Sequence, residues 1–154
     1  MARRARATDR LYEIIRAVSV EPSVLEQIPL FAGLSQPDRD RIAAVTDDLR
    51  ADGGATICRY GDFAYHFYAL VDGSVDVMDG ADTLAQLGPG DFFGEIGLLV
   101  TGRRTASVVA REPTRFVAMF DQPFRRLEAE IPEFSKRLRA AMGERGWTSG
   151  HSGG

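Results

Sequence analysis

From Gly53 to Phe120 the sequence is cut at short intervals by turn formers: Gly53-Gly54, Gly61-Asp62, Asp72-Gly73, Asp79-Gly80 and Gly88-Pro89-Gly90. The segments between them alternate apolar and polar side chains, the period of a half-buried strand. Phe67, Ala69 and Val71 alternate with His66, Tyr68 and Leu70; after the Asp72-Gly73 hairpin signal, Val75 and Val77 resume the pattern. Thr83 to Leu87, Thr105 to Ala110 and Arg115 to Phe120 read as further strands. Regular short strands separated by turns point to a β sandwich or roll.

Helical patterns flank this region. Over residues 8–20, Leu11, Ile14, Ile15 and Val18 mark an amphipathic stripe. Ser35-Gln36-Pro37-Asp38 has a capping hydroxyl, a first-turn proline and an acid at the positive helix end, and Ile42, Val45 and Leu49 supply that helix with an apolar face. After the strands, Asp121 caps a helix bearing Phe124, Leu127 and Ile131. Pro132 interrupts it, and a second segment carries Phe134, Leu138 and Met142 on one face. The expected fold is therefore mainly β, with helices at both ends.

The length of 154 residues suits one domain, and 44% hydrophobic residues suit a soluble core. A net charge of −3 argues against a nucleic-acid surface, so DNA is not an expected partner. Arg3, Arg4, Arg6 and Arg10 make the first residues basic, either a solvated tail and helix start or a contact for an acidic partner or membrane surface. The single cysteine, Cys58, fits a reducing compartment and reads as a structural thiol in a strand. No apolar run approaches the ~20 residues that span a bilayer, and no signal-peptide core follows Met1, so the expected location is the cytoplasm.

The chemistry concentrates in Phe93-Gly94-Glu95-Ile96-Gly97-Leu98-Leu99 and Arg104-Thr105-Ala106-Ser107-Val108. The arginine presents a planar fork of donors suited to phosphate oxygens. The glutamate accepts hydrogen bonds, as from a sugar hydroxyl. The glycines let the backbone approach closely and aim N–H groups at an anion. No nucleophile is paired with a base. The set reads as a binding site for a small ligand carrying a hydroxyl and a phosphate.

This stretch, from Gly90-Asp91-Phe92-Phe93 to Val108, closely resembles the phosphate-binding cassette of cyclic nucleotide-binding domains, with wording most like the channel-type members. Leu30-Phe31-Ala32-Gly33-Leu34-Ser35 and the stretch from Ile57 to Val77 extend the resemblance, which covers roughly residues 28–146. It implies an antiparallel jelly-roll-like β barrel with N-terminal helices and two C-terminal ones, a hinge and a lid. The implied organisation is an N-terminal amphipathic helix or linker over 1–27, the binding domain over 28–146 and a disordered tail over 147–154.

By resemblance, Arg104 binds the cyclic phosphate, Glu95 takes the ribose 2′-hydroxyl, and Phe93, Gly94, Ile96, Gly97 and Leu98 line the site. Gly97 departs from the alanine frequent in the family, which keeps the N–H but loosens the backbone. Arg103 reads as solvent-facing. Thr105 is either a strand residue or a contact to phosphate and to guanine; it permits cGMP without excluding cAMP. Ala106 suits a crowded wall. Val77 and Ala85 flank the purine or are plain core. Leu138 and Met142 are lid or helix-packing residues, and Arg139 or Arg145 can stack on the base.

The implied function is a regulatory module that binds cAMP or cGMP, repositions its C-terminal helix and signals through an unidentified protein effector, with no cofactor. The alternatives are a fragment of a cyclic nucleotide-regulated channel or kinase regulator, and a degenerate domain kept for protein contacts. Met1 favours a complete short protein over a fragment. A metal enzyme is disfavoured: the two histidines are His66 and His151, the second in a glycine-rich tail, and no other metal-ligand spacing or Gly-x-Ser-x-Gly motif occurs. The residues after Gly143 are too few for a helix-turn-helix module. The N-terminal helix is the expected contact or homodimer surface.

Overall fold

The computed structural model describes residues 18–95 and 97–144. Most of the expected N-terminal stripe, Ile96, Arg145 and the tail over 147–154 lie outside the described residues.

Three short helices open the described chain: α1 (Pro22–Leu25), α2 (Pro29–Ala32) and α3 (Gln36–Ala44). The expected cap of α3 is present, with Ser35 Oγ accepting from the Asp38 amide at 3.3 Å. Of its expected apolar face only Ile42 is in place, fully buried within the helix. The helix stops at Ala44, Val45 is 40% exposed, and Leu49 belongs to the next strand. The 3.6-residue spacing there ran across a helix end, and strand pairing took Leu49 instead. Val18, the last residue of the N-terminal stripe, likewise sits in a strand, β1 (Val18–Ser19), paired with β2 (Asp47–Ala51).

The remaining strands are β3 (Thr56–Cys58), β4 (His66–Asp72), β5 (Val75–Asp79), β6 (Asp82–Leu87), β7 (Phe92–Phe93), β8 (Ser107–Ala110) and β9 (Thr114–Phe120). They form two antiparallel sheets, ordered β1-β2-β9-β4-β7 and β3-β8-β5-β6. The jelly-roll-like arrangement is thus two sheets; the described strands do not close into one barrel. Helices α4 (Asp121–Glu130) and α5 (Pro132–Glu144) follow, broken at Pro132 as expected. Phe120, one residue earlier than expected, is the N-cap of α4, and the Asp121 carboxylate accepts from the Gln122 amide at 2.8 Å.

The five-stranded sheet is buried on both faces over the central parts of β4, β7 and β9. Tyr68, Leu70, Phe93, Phe116 and Ala118 pack with Ile57, Val75, Val77 and Val108 of the other sheet. Their chain neighbours Phe67, Ala69, Phe92, Val117 and Met119 pack with the helices. Alternating strand geometry therefore feeds two cores from the same residues' neighbours. Phe67 is the hub of the helical side. Its ring stacks on Phe124 at 4.8 Å, lies 5.6 Å from Phe92, and meets Phe31 edge-on at 6.5 Å. Phe134 of α5 closes the cluster against Phe31 and Phe124, at 5.8 and 6.0 Å. Phe67→Ala removes a ring that is 1% exposed and touches both helical layers. It should cost about 3–5 kcal/mol of unfolding free energy in chemical denaturation.

Candidate functional site

The site begins where β7 leaves the sheet. Phe93 is paired with Tyr68 and stacks on its ring at 4.8 Å. Gly94 then turns the chain at φ +94, a conformation that glycine adopts without strain. Glu95 follows, fully buried. A π-helical turn spans Gly97–Thr101, closed by the Gly102 amide donating to the Gly97 carbonyl at 2.7 Å. Such wide turns are frequent at functional sites.

The chain returns through Arg103 and Arg104. Arg103 is exposed as expected, with its guanidinium 4.1 Å above the Phe63 ring. Arg104 turns inward and is 7% exposed. Its backbone is pinned to the preceding loop: its N–H donates to Asp62 O at 2.8 Å, and its carbonyl accepts from the Gly61 N–H at 3.0 Å. Its Nη2 donates to the His66 carbonyl at 2.7 Å and its Nη1 to the Gly94 carbonyl at 3.2 Å. The guanidinium carbon lies 5.5 Å from the Tyr68 ring centroid.

Both glycines make room for this arrangement. A Cβ on Gly94 would lie 2.9 Å from Arg104 Nη1 and 2.9 Å from His66 O. A Cβ on Gly97 would lie 2.8 Å from the Ala64 Cβ and 3.3 Å from Arg104 Nη1. The departure from alanine at Gly97 matches a close approach of the turn to Ala64.

Arg104, Gly94, Gly97, Phe93, Thr105, Ala106 and Val77 come together around one cavity, and Cys58 and Val108 complete its wall. Its volume is about 20 Å³. The last two residues escaped the sequence-based site. Val108 shares the face of Ala106, two residues on, so strand alternation was a usable signal for it. Cys58 is opposite Val108 in the β3–β8 pairing, a register that no local pattern reveals. Burial pushes the Cys58 thiol above its ordinary pKa, opposed by the Arg104 charge and a hydrogen bond with Tyr68. Leu98 instead points into the helix-side core, 2% exposed. Ala85 is opposite Val77 but exposed, because β6 is an edge strand. Leu138 and Met142 are buried in the helical core, away from this cavity. Arg139 is exposed and paired with Glu128 at 3.0 Å.

A larger groove of about 530 Å³ lies between Pro29, Leu30, the Gly90–Phe92 turn and α5. Its arginine, Arg137, is already engaged by Glu133 and the Pro29 carbonyl. Chemistry favours the smaller cavity, where a buried cation stands beside close-approach backbone. Among the described residues no three His, Cys, Asp or Glu side chains gather as metal ligands, and no helix is long and apolar enough to cross a membrane.

His66 records the electrostatics. Burial and then the Arg104 charge lower its pKa to about 4, against a smaller opposing pull from Asp121. The ring is therefore neutral in the folded protein at neutral pH. Below its ordinary value near 6.5 the unfolded chain takes up a proton that the folded chain refuses. Stability should thus be full above pH ~6.5 and fall as pH drops toward ~4. Between pH 7 and 5 the His66 contribution should be on the order of 1 kcal/mol in denaturant unfolding, and His66→Gln should flatten that part of the pH dependence.

Comparison with known proteins places this geometry. The family model described as "Cyclic nucleotide-binding domain" matches residues 49–130. The chain is 32% identical to a cAMP-dependent protein kinase regulatory subunit of Colletotrichum orbiculare, over 75% of this chain and 30% of that protein. It is 34% identical to the cyclic AMP receptor protein of Thermus thermophilus, over 76% of this chain and 56% of that one. Among solved structures, the regulatory subunit of a cAMP-independent protein kinase A from Trypanosoma brucei superposes with a TM-score of 0.69 at 25% identity, covering 79% of this chain and 45% of that one. The chain therefore spans from under a third to somewhat over half the length of these relatives. A buried arginine seated on two carbonyls, the glycine turn that admits it and the matching family model together make this chain a member of the cyclic nucleotide-binding domain family.

Proposed function

We propose that this domain binds a cyclic nucleotide, cAMP or cGMP, in the cavity at Arg104 and uses that binding to reposition α5 for an effector protein, without catalysing a reaction. The observation that carries the reading is the inward-turned guanidinium. Arg104 is a buried cation whose Nη1 and Nη2 donate to neutral carbonyls, and a phosphodiester monoanion offers it charge-assisted bonds. Neutral His66 beside it leaves the arginine as the cationic anchor. Glu95, in the turn between Gly94 and Gly97, is the acceptor for the ribose 2′-hydroxyl in this reading.

The cavity's size supplies the argument for movement. At about 20 Å³ it has room for roughly one water, whereas sites for small ligands run to about 300–1,000 Å³. In this reading nucleotide binding opens the walls further, and the ligand works by favouring the rearranged state. The turn from Gly94 to Leu98 and the hinge near Asp121 to Pro132 are the expected moving parts. In that state Leu138, Arg139 and Met142 of α5 shift toward the base.

The relatives' names differ in their relation to cAMP. One is named for a cAMP-dependent kinase, one for a cyclic AMP receptor and one for a cAMP-independent kinase. The choice of base thus rests on this chain's own residues, and Thr105, half-buried in the wall, is the residue to which we assign the contact with guanine.

Arg104→Ala should weaken cyclic nucleotide binding by about 2–4 kcal/mol in calorimetric titration, because a buried charge pair is lost. Unchanged affinity would overturn the phosphate assignment. Thr105→Ala should reduce cGMP affinity more than cAMP affinity; equal losses for the two ligands would remove Thr105 from base selection.

A further inference from the structure

The π turn ends in a way that exposes one carbonyl to a neighbour. Gly102 N–H closes the turn on the Gly97 carbonyl, but the next amide, Arg103 N–H, donates to Thr101 Oγ1 at 3.3 Å. Carbonyls at a helix end need donors from elsewhere. For Leu98 that donor comes from another element: Arg125 Nη2, on α4, donates to the Leu98 carbonyl at 2.6 Å. The Leu98 side chain enters the same helical layer, sharing a core with Phe124 and Leu127. Helix α4 therefore holds Leu98 by backbone and by side chain.

The other end of the turn is held by the site. The Gly94 carbonyl accepts from Arg104 Nη1 and also from the Leu98 amide at 3.3 Å. One peptide segment thus connects the phosphate-seeking arginine to the α4 arginine. Beyond α4 the connection continues to α5: Glu128 Oε2 accepts from Ser135 Oγ at 2.6 Å and from Arg139 Nη2 at 3.0 Å.

We propose that Arg125 is a positioning residue that couples the ligand-binding turn to the C-terminal helices through the Leu98 carbonyl. A guanidinium–carbonyl bond weakens steeply with misalignment, so a turn that moves on binding makes or breaks it as a unit. Such a directional bond gives the two arrangements different energies at α4, which coupling requires. The proposal rests on the ligand-binding reading above.

Amide hydrogen exchange on the full chain tests it in two arms, with Arg125→Leu keeping an apolar stem without the donors. Without nucleotide, Arg125→Leu should speed exchange over residues 97–103 by about tenfold while leaving β4 and β9 amides unchanged, which a general loss of stability would not do. Unchanged exchange in the turn, or equal acceleration everywhere, overturns the proposal. With saturating cAMP, the wild-type change in exchange over residues 132–144 should be lost in Arg125→Leu although cAMP affinity stays within about threefold. A full wild-type response in the variant overturns the proposal. Should Arg125→Leu fold poorly by circular dichroism, Arg125→Gln is measured in both arms and the same results decide. A wild type that binds neither cAMP nor cGMP overturns the ligand-binding reading, and the nucleotide-free arm still decides whether Arg125 holds the turn.

Discussion

A guanidinium inside a protein needs acceptors, and the ligand-binding side of this molecule is arranged around supplying them to Arg104. At 7% exposure little water reaches it, and the carbonyls of His66 and Gly94 accept from it instead. One comes from the start of β4, the other from the turn after β7. Gly94 must be glycine twice over, for its positive φ and for the space the guanidinium takes. The loop at Gly61 and Asp62 fixes the arginine's own backbone. Seating one cation thus fixes the relative positions of a strand, a turn and a loop.

The five-stranded sheet carries this arrangement to the other half of the molecule. Neighbouring residues in β4 and β7 serve opposite faces: Tyr68 stacks on Phe93 beside the site, while Phe67 meets Phe92 and Phe124 beside the helices. A shift of either strand is felt in both cores, because packed interiors do not deform continuously. The π turn supplies a second route, since Leu98 belongs to the Gly97–Thr101 turn in sequence and to the helical core in space.

Much of this was legible in the chain. The turn formers marked the strands, Ser35 marked the start of α3, and Pro132 marked the break between α4 and α5. Of the glycines and the arginine singled out in the sequence, Gly94, Gly97 and Arg104 line one cavity. The errors share a physical origin. Val45 and Leu49 fit a helical spacing beyond the point where the helix ended, because β pairing with Phe116 claimed Leu49. Ala85 meets solvent on an edge strand, so it is not the plain core residue that its apolar pattern also allowed.

What the sequence determined by itself is what local chemistry can state: strand and turn periodicity, helix starts and stops, and a set of residues suited to a phosphate and a hydroxyl. Tertiary structure decided everything that depends on pairing between distant segments. Register brought Cys58 to Val108 and into the cavity wall. Folding brought Arg125 to a carbonyl 27 positions earlier and turned Arg104 onto His66, 38 positions away. Hydrogen bonds and ring contacts act over a few ångströms of space, and separation along the chain does not encode that distance.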